Sequence, residues 1–142
     1  MQNLPVNFVY TDKISAEILT KLQKLSDSAV KFLQIDNLDI SVIFVTQNKI
    51  KQLNKLYRDK DKTTDVLSFF YGNEGEVFIC LKQAKLQARE NKLDLQTELI
   101  KLLIHGLTHI AGYDHETEND YKVMTQQEKN IYDLYQKDIK EY

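Results

Sequence analysis

Residues 95–115 read LQTELIKLLIHGLTHIAGYDH, and the fold turns on this stretch. Leu95, Leu99, Leu102, Leu103, Leu107 and Ile110 recur at helical spacing and form one apolar stripe, so the segment is expected to be a core helix. Asp94 is suited to cap its N-terminus, and Gly112 to end it by taking a left-handed backbone conformation. All three histidines of the chain, His105, His109 and His115, fall within the last part of this stretch. Residues four apart on a helix share a face, so His105 and His109 can direct ring nitrogens to one ion. A reversal at Gly112 would then bring His115 to the same ion.

Three imidazoles leave the fourth position of a tetrahedral zinc ion free, as catalytic sites do, for a water whose pKa the ion lowers to about 7. Nickel, copper and iron also accept this donor set. The spacing matches the H-E-x-x-H-x-x-G-x-x-H pattern of metzincin proteases with one change, because Gly106 replaces the glutamate that serves them as general base. That change weakens a peptidase reading and leaves the metal-binding pattern intact.

Working outward, VNFVY (residues 6–10) reads as a strand, and the spacing of Ile14, Ile18, Leu22, Leu25, Ala29 and Phe32 as a long helix. LDISVIFVT (38–46) reads as a second strand, followed by a helix over about residues 47–57 and a polar loop from Arg58 to Thr64. DVLSFFY (65–71) and GEVFICL (75–81) flank the turn-like Gly72-Asn73-Glu74-Gly75 and predict an antiparallel hairpin. Helices are expected over 82–91 and 118–140. The class is therefore α+β: one domain over residues 1–142, with a small mixed sheet packed against several helices.

Composition narrows the function. The 142 residues are 42% hydrophobic and 28% charged with one proline, as in a folded globule and unlike a disordered chain. The N-terminal MQNLPVNFVYTDK lacks the features of a signal peptide, and no run of apolar residues is long enough to span a bilayer. Together with the single cysteine, Cys80, expected as a buried strand residue, this predicts a cytoplasmic protein. A net charge of −2 gives no overall attraction to nucleic acid, so any such contact must be local. Candidates are Lys49, Lys51, Lys55, Arg58, Lys60 and Lys62 in one window, and Lys82, Lys85, Arg89 and Lys92 in another; each window also suits a plain solvated helix face.

The motifs together resemble a known family. H105-G-L-T-H109-I-A-G-Y113-D114-H115 is similar to the H-G-x-L-H-L-x-G-Y-D-H signature of the YbeY family of bacterial endoribonucleases and rRNA maturation factors. L53-N54-K55-L56-Y57-R58 resembles its N-x-x-Y-R stretch, T64-D65-V66-L67-S68-F69 its T-[ND]-V-L-S-F-P strand, and G75-E76-V77-F78-I79 its G-D-I-x-I strand. Thr63, Phe70, Glu76, Thr108 and Ile110 depart from the usual residues, and none is a histidine of the cluster.

The resemblance implies a zincin-like site in which His105, His109 and His115 hold one zinc ion, with His105 and Arg58 as catalytic residues. It implies cleavage of single-stranded RNA during rRNA processing, notably at the 16S rRNA 3′ end, and in ribosome biogenesis and quality control. Its implied partners are the small ribosomal subunit, ribosomal proteins and an assembly GTPase. Chemistry suits Arg58 to that role, since a guanidinium offers a planar fork of donors to phosphate oxygens. The general acid or base is open among Asp65, Ser68, Asp114 and Glu116; Asp114 could orient a histidine or cap the next helix. A peptidase-like or amidase-like hydrolase and a non-catalytic assembly factor are the rival readings.

Overall fold

The computed structural model of the chain describes residues 6–140. Residues 1–5, which open the N-terminal stretch read above as lacking a signal peptide, lie outside the described residues, as do residues 141–142. The elements run β1 (Asn7–Val9), α1 (Ala16–Phe32), β2 (Asp39–Val45), α2 (Gln47–Arg58), β3 (Val66–Tyr71), β4 (Glu74–Cys80), α3 (Leu81–Glu90), α4 (Leu95–Ile110) and α5 (Glu118–Lys140). Side-chain oxygens of Ser15, Thr46 and Asp94 cap α1, α2 and α4 by accepting from the amides of Ile18, Lys49 and Thr97. Each such cap stabilises its helix by about 1 kcal/mol.

The strands order as β1-β2-β4-β3 in one mixed sheet. β1 and β2 are parallel, β2 and β4 are parallel, and β3 runs antiparallel to β4 at the edge. The α+β expectation with a small mixed sheet therefore holds. Because successive side chains alternate faces, β2 sends Ile40, Val42 and Phe44, and β4 sends Val77 and Ile79, into the core shared with α1, α4 and α5. Phe78 and Cys80 of β4 and Leu67 and Phe69 of β3 belong to a second cluster completed by Ile50 and Leu53 of α2. Cys80 is a free, fully buried thiol, as its place in an apolar strand suggests.

α4 is the centre of this arrangement. Leu99, Leu102, Leu103, Leu107 and Ile110 are buried as the stripe predicts, and so are Ile100 and Ile104, because α4 meets α1, α3 and α5 as well as β3 and β4. Where it crosses the sheet the approach is close, and at Gly106 too close for a side chain. A Cβ at Gly106 would lie 2.6 Å from Val77 Cγ1, and one at Gly75 would lie 3.0 Å from Ile110 Cδ1.

Two local expectations need correction. The turn is two residues, Gly72-Asn73, with Gly72 at φ 61°, while Glu74 and Gly75 already pair within β4. A two-residue hairpin loop takes glycine readily at such a position, and Gly75 serves the helix crossing, not the turn. Arg58 closes α2 and does not open the following loop. The helix stops one residue later because Asp59 adopts a left-handed conformation, φ 56°, and buried Asn54 ties down the loop by donating to Lys62 O at 3.0 Å.

Candidate active site

The end of α4 builds the site. His105 and His109 share one helical face with ring centroids 4.7 Å apart. Gly112 takes φ 102°; its amide donates to His109 O, and that of Tyr113 to Thr108 O. This paired backbone closure is the Schellman arrangement, which reverses the chain while satisfying the last carbonyls of the helix. The reversal brings the His115 ring to 5.3 Å from that of His109 and 6.0 Å from that of His105. The three histidines thus stand together, although among the described residues no group of three or more His, Cys, Asp or Glu side chains is placed so that it could hold a metal ion as it stands.

Two of the three rings are oriented by hydrogen bonds. His109 Nδ1 lies 2.9 Å from Tyr113 O, so the same turn that ends the helix supplies the carbonyl that fixes this ring. A carbonyl only accepts, which places the proton on Nδ1 and leaves Nε2 with a free lone pair. His105 Nδ1 lies 3.0 Å from Glu128 Oε2 on α5, and an ionised carboxylate imposes the same tautomer. An Nδ1–H held by a carboxylate or backbone carbonyl is the usual support of a metal-binding imidazole, so the donor chemistry fits a divalent transition metal. Burial, followed by the nearby His105, holds the His109 pKa below its ordinary value, and His115 and Arg58 act in the same direction against the opposing hydrogen bond to Tyr113. A neutral imidazole is the form that ligates.

Arg58 ends α2 beside edge strand β3, near enough to His109 for its charge to act there. Its Nη2 donates to Ser68 O at 2.9 Å, and its guanidinium carbon stands 5.4 Å from the centroid of the Phe69 ring. Phe69 is in turn braced by Tyr57 and Phe78, at 5.1 and 5.8 Å between centroids. The guanidinium is therefore tethered at one nitrogen while its remaining donors are available to an anion.

The other polar candidates scatter. Ser68 contributes its carbonyl to Arg58. Asp65 lines a cavity that His105 and Glu128 also line. Asp114 takes up neither role proposed for it: its Oδ1 accepts from Glu116 N, while Thr117 Oγ1 caps the start of α5 by accepting from Asp120 N. The carboxylate that orients a histidine is Glu128, which the sequence reading missed. It lies 23 residues from His105 on a helix with only weak periodicity, and nothing in its local spacing marks it. Of the lysines, Lys49, Lys82 and Lys85 converge with Lys13 on one groove of about 1050 Å³, at the end of the sheet where β2 and β4 finish. Lys51 instead pairs with Asp61 at 3.9 Å.

Residues 7–136 match the profile of the family described as Endoribonuclease YbeY. The chain belongs to the YbeY family. Among relatives that carry the same name, it is 38% identical to the protein of a Sulfurihydrogenibium species over 88% of this chain and 86% of the relative. It is 32% identical to that of Bacillus cereus over 94% and 97%. The fold is similar to the solution structure of a Thermotoga maritima protein, with a TM-score of 0.61 and 25% identity over 96% of this chain and 95% of that one. Gly106 gains meaning beside this membership. It faces Val77 where helix and sheet nearly touch, so a glutamate at the position where metzincins carry their base has no room in this YbeY chain.

Proposed function

We propose that this YbeY protein is a zinc-dependent endoribonuclease that hydrolyses single-stranded RNA as one domain in the cytoplasm. Its substrate is ribosomal RNA, notably the 16S 3′ end, handled with the small subunit, ribosomal proteins and an assembly GTPase in ribosome biogenesis and quality control. The gathering of three imidazoles, two of them oriented by hydrogen bonds, near the tethered guanidinium of Arg58 carries this reading. No helix among the described residues is long and apolar enough to cross a membrane, in keeping with it.

His105, His109 and His115 would hold the ion, which supplies a Lewis acid and an acidified water when bound. Nickel or another divalent metal suits the same donors. Glu128 and Tyr113 O keep the Nδ1 protons of His105 and His109 in place, so the Nε2 lone pairs of these two rings stay free for the ion. Arg58 binds the scissile phosphate and offsets the charge that grows on its oxygens in the transition state. Tyr57 and Phe70, both more than half exposed at 61% and 54%, offer ring faces to unstacked bases near that phosphate. A single strand exposes such faces; a duplex hides them.

Cleavage of an end-labelled 16S 3′ precursor tests the proposal. Activity lost on stripping the metal, restored by zinc and lowered about a hundredfold or more by Arg58→Ala is the expected result. Fully metal-loaded protein that leaves the RNA intact, alone and with small subunits, would overturn it in favour of a non-catalytic assembly factor.

A further inference from the structure

The groove of about 1050 Å³ lies outside the carboxyl ends of the parallel strands β1, β2 and β4. Successive side chains of a strand face opposite ways, and the two clusters they build place the next helices on opposite faces. α1 packs on the Val42 side of the sheet and α2 on the Phe78 side. Parallel sheets bind ligands outside their carboxyl ends, where such a divergence opens a crevice. The first turns of α2 and α3 border this one, joined by Gln47 Nε2, which donates to Gln83 Oε1 at 3.2 Å.

Lys13, Lys49, Lys82 and Lys85 line the groove against Asp12, and none of the four lysines has an ion-pair partner among the described residues. The groove is therefore complementary to an anion of several charges, while Ile43 and Phe78 give its floor apolar surface. A ridge leads out of it. Lys49, Gln52, Lys55 and Arg58 recur every three residues on α2, all exposed, and such a row runs obliquely across a helix. It starts at the groove and ends at the guanidinium tethered to Ser68 O. At 1.5 Å per residue its axial length is about 14 Å.

We infer that the RNA strand cut at the histidine cluster crosses α2 along this ridge, and that the groove anchors a nucleotide about four positions from the scissile phosphate. Stacked nucleotides follow one another at about 3.4 Å, which sets that spacing. The inference rests on the reading of the chain as an endoribonuclease and adds to it a remote anchoring site and a minimum substrate length. A single strand bends over the helix and turns a base to the apolar floor, as a duplex does not. Its phosphates, one at every link, match a row of spaced cations and amide donors. An acidic protein segment would satisfy the groove alone and has no use for the ridge.

Binding measured against strand length, apart from cleavage, decides the matter. Full-length protein is titrated with fluorescent oligouridylates of increasing length and followed by anisotropy. Affinity should rise about tenfold where a strand first reaches both Arg58 and the groove, near about five nucleotides, and only slowly beyond, as when a tethered second contact becomes possible. The double variant Lys82→Gln, Lys85→Gln should lose this step and bind the shortest strands as before; both side chains are exposed, so the core is untouched. Lys55→Gln, midway along the ridge, should reduce the step. A step that survives the double variant, or affinity that grows smoothly with length in both proteins, would overturn the strand path. So would oligoglutamate that fills the groove without competing with RNA, which would make it the seat of an acidic protein segment. Protein that shows the step yet cleaves no RNA keeps the path and sinks the nuclease; protein that cleaves RNA without the step does the reverse.

Discussion

His105 Nδ1 and Glu128 Oε2 stand 3.0 Å apart and join α4 to α5 at the candidate centre. Both side chains are partly buried, so the contact is a charge-assisted hydrogen bond shielded from much of the solvent. Its consequence is the orientation of one imidazole. Glu128→Ala should weaken zinc binding by about 10–100-fold, the usual effect of losing such an outer carboxylate. Competition with a chromogenic chelator measures this directly, and Glu128→Asp should recover part of the loss. Unchanged zinc affinity in Glu128→Ala would remove Glu128 from the site.

Gly106 tests why α4 lies where it does. Alanine in a helix interior gains about 1 kcal/mol over glycine, yet here its Cβ would meet the stiff, fully buried Val77 at 2.6 Å. Overpacking of this kind costs about 1–3 kcal/mol. Gly106→Ala should therefore destabilise in urea unfolding, and Val77→Ala should relieve it, so that the double variant loses less than the two single losses added together. Strict additivity would show that helix and sheet do not meet there.

The parts of this molecule that were legible in the sequence are those set by local chemistry. The stripe through Leu99, Leu103 and Leu107, the cap at Asp94, the stop at Gly112 and the β3–β4 hairpin each depend on residues close in the chain, and each is found where expected. So is the gathering of three histidines, because a helical i, i+4 pair and one reversal suffice. Glu128 and the Phe69 platform under Arg58 were not legible. Each takes its role from packing between elements far apart in sequence. Gly75 was read as the last residue of the turn and the first of the strand because glycine's commonest local use is the turn, whereas it lies within β4, where a Cβ would fit only tightly against Ile110.

The groove lined by Lys13, Lys49, Lys82 and Lys85 makes a prediction about salt. If RNA phosphates follow it, each lysine engaged releases counterions and contributes about 0.7 to the slope of log K against log salt for a single strand. Replacing Lys49, Lys82 and Lys85 together by glutamine should lower that slope by about 2, with binding lost mainly at low salt. Filter binding of a labelled single strand across a salt series reads it. An unchanged slope would place the RNA on another face.

The lowered pKa of His109 gives a signed prediction for the metal-free protein. Burial and the neighbouring His105, His115 and Arg58 disfavour its protonation in the folded state, while in the unfolded chain it titrates near its ordinary 6.5. Above that value both states are neutral at His109 and its contribution to pH dependence is absent. As pH falls through 6.5 the unfolded state takes up a proton that the folded state resists, so stability declines toward the folded-state pKa. Asp94, whose pKa is lowered by its hydrogen bonds to Thr97, acts in the same sense but only in more acid solution, below about 4. Urea unfolding of metal-free protein between pH 7.5 and 5 should thus show a loss of stability that His109→Gln largely removes. An equal loss in the variant would assign that window to other groups and would mean that His109 is no harder to protonate in the fold than in the open chain.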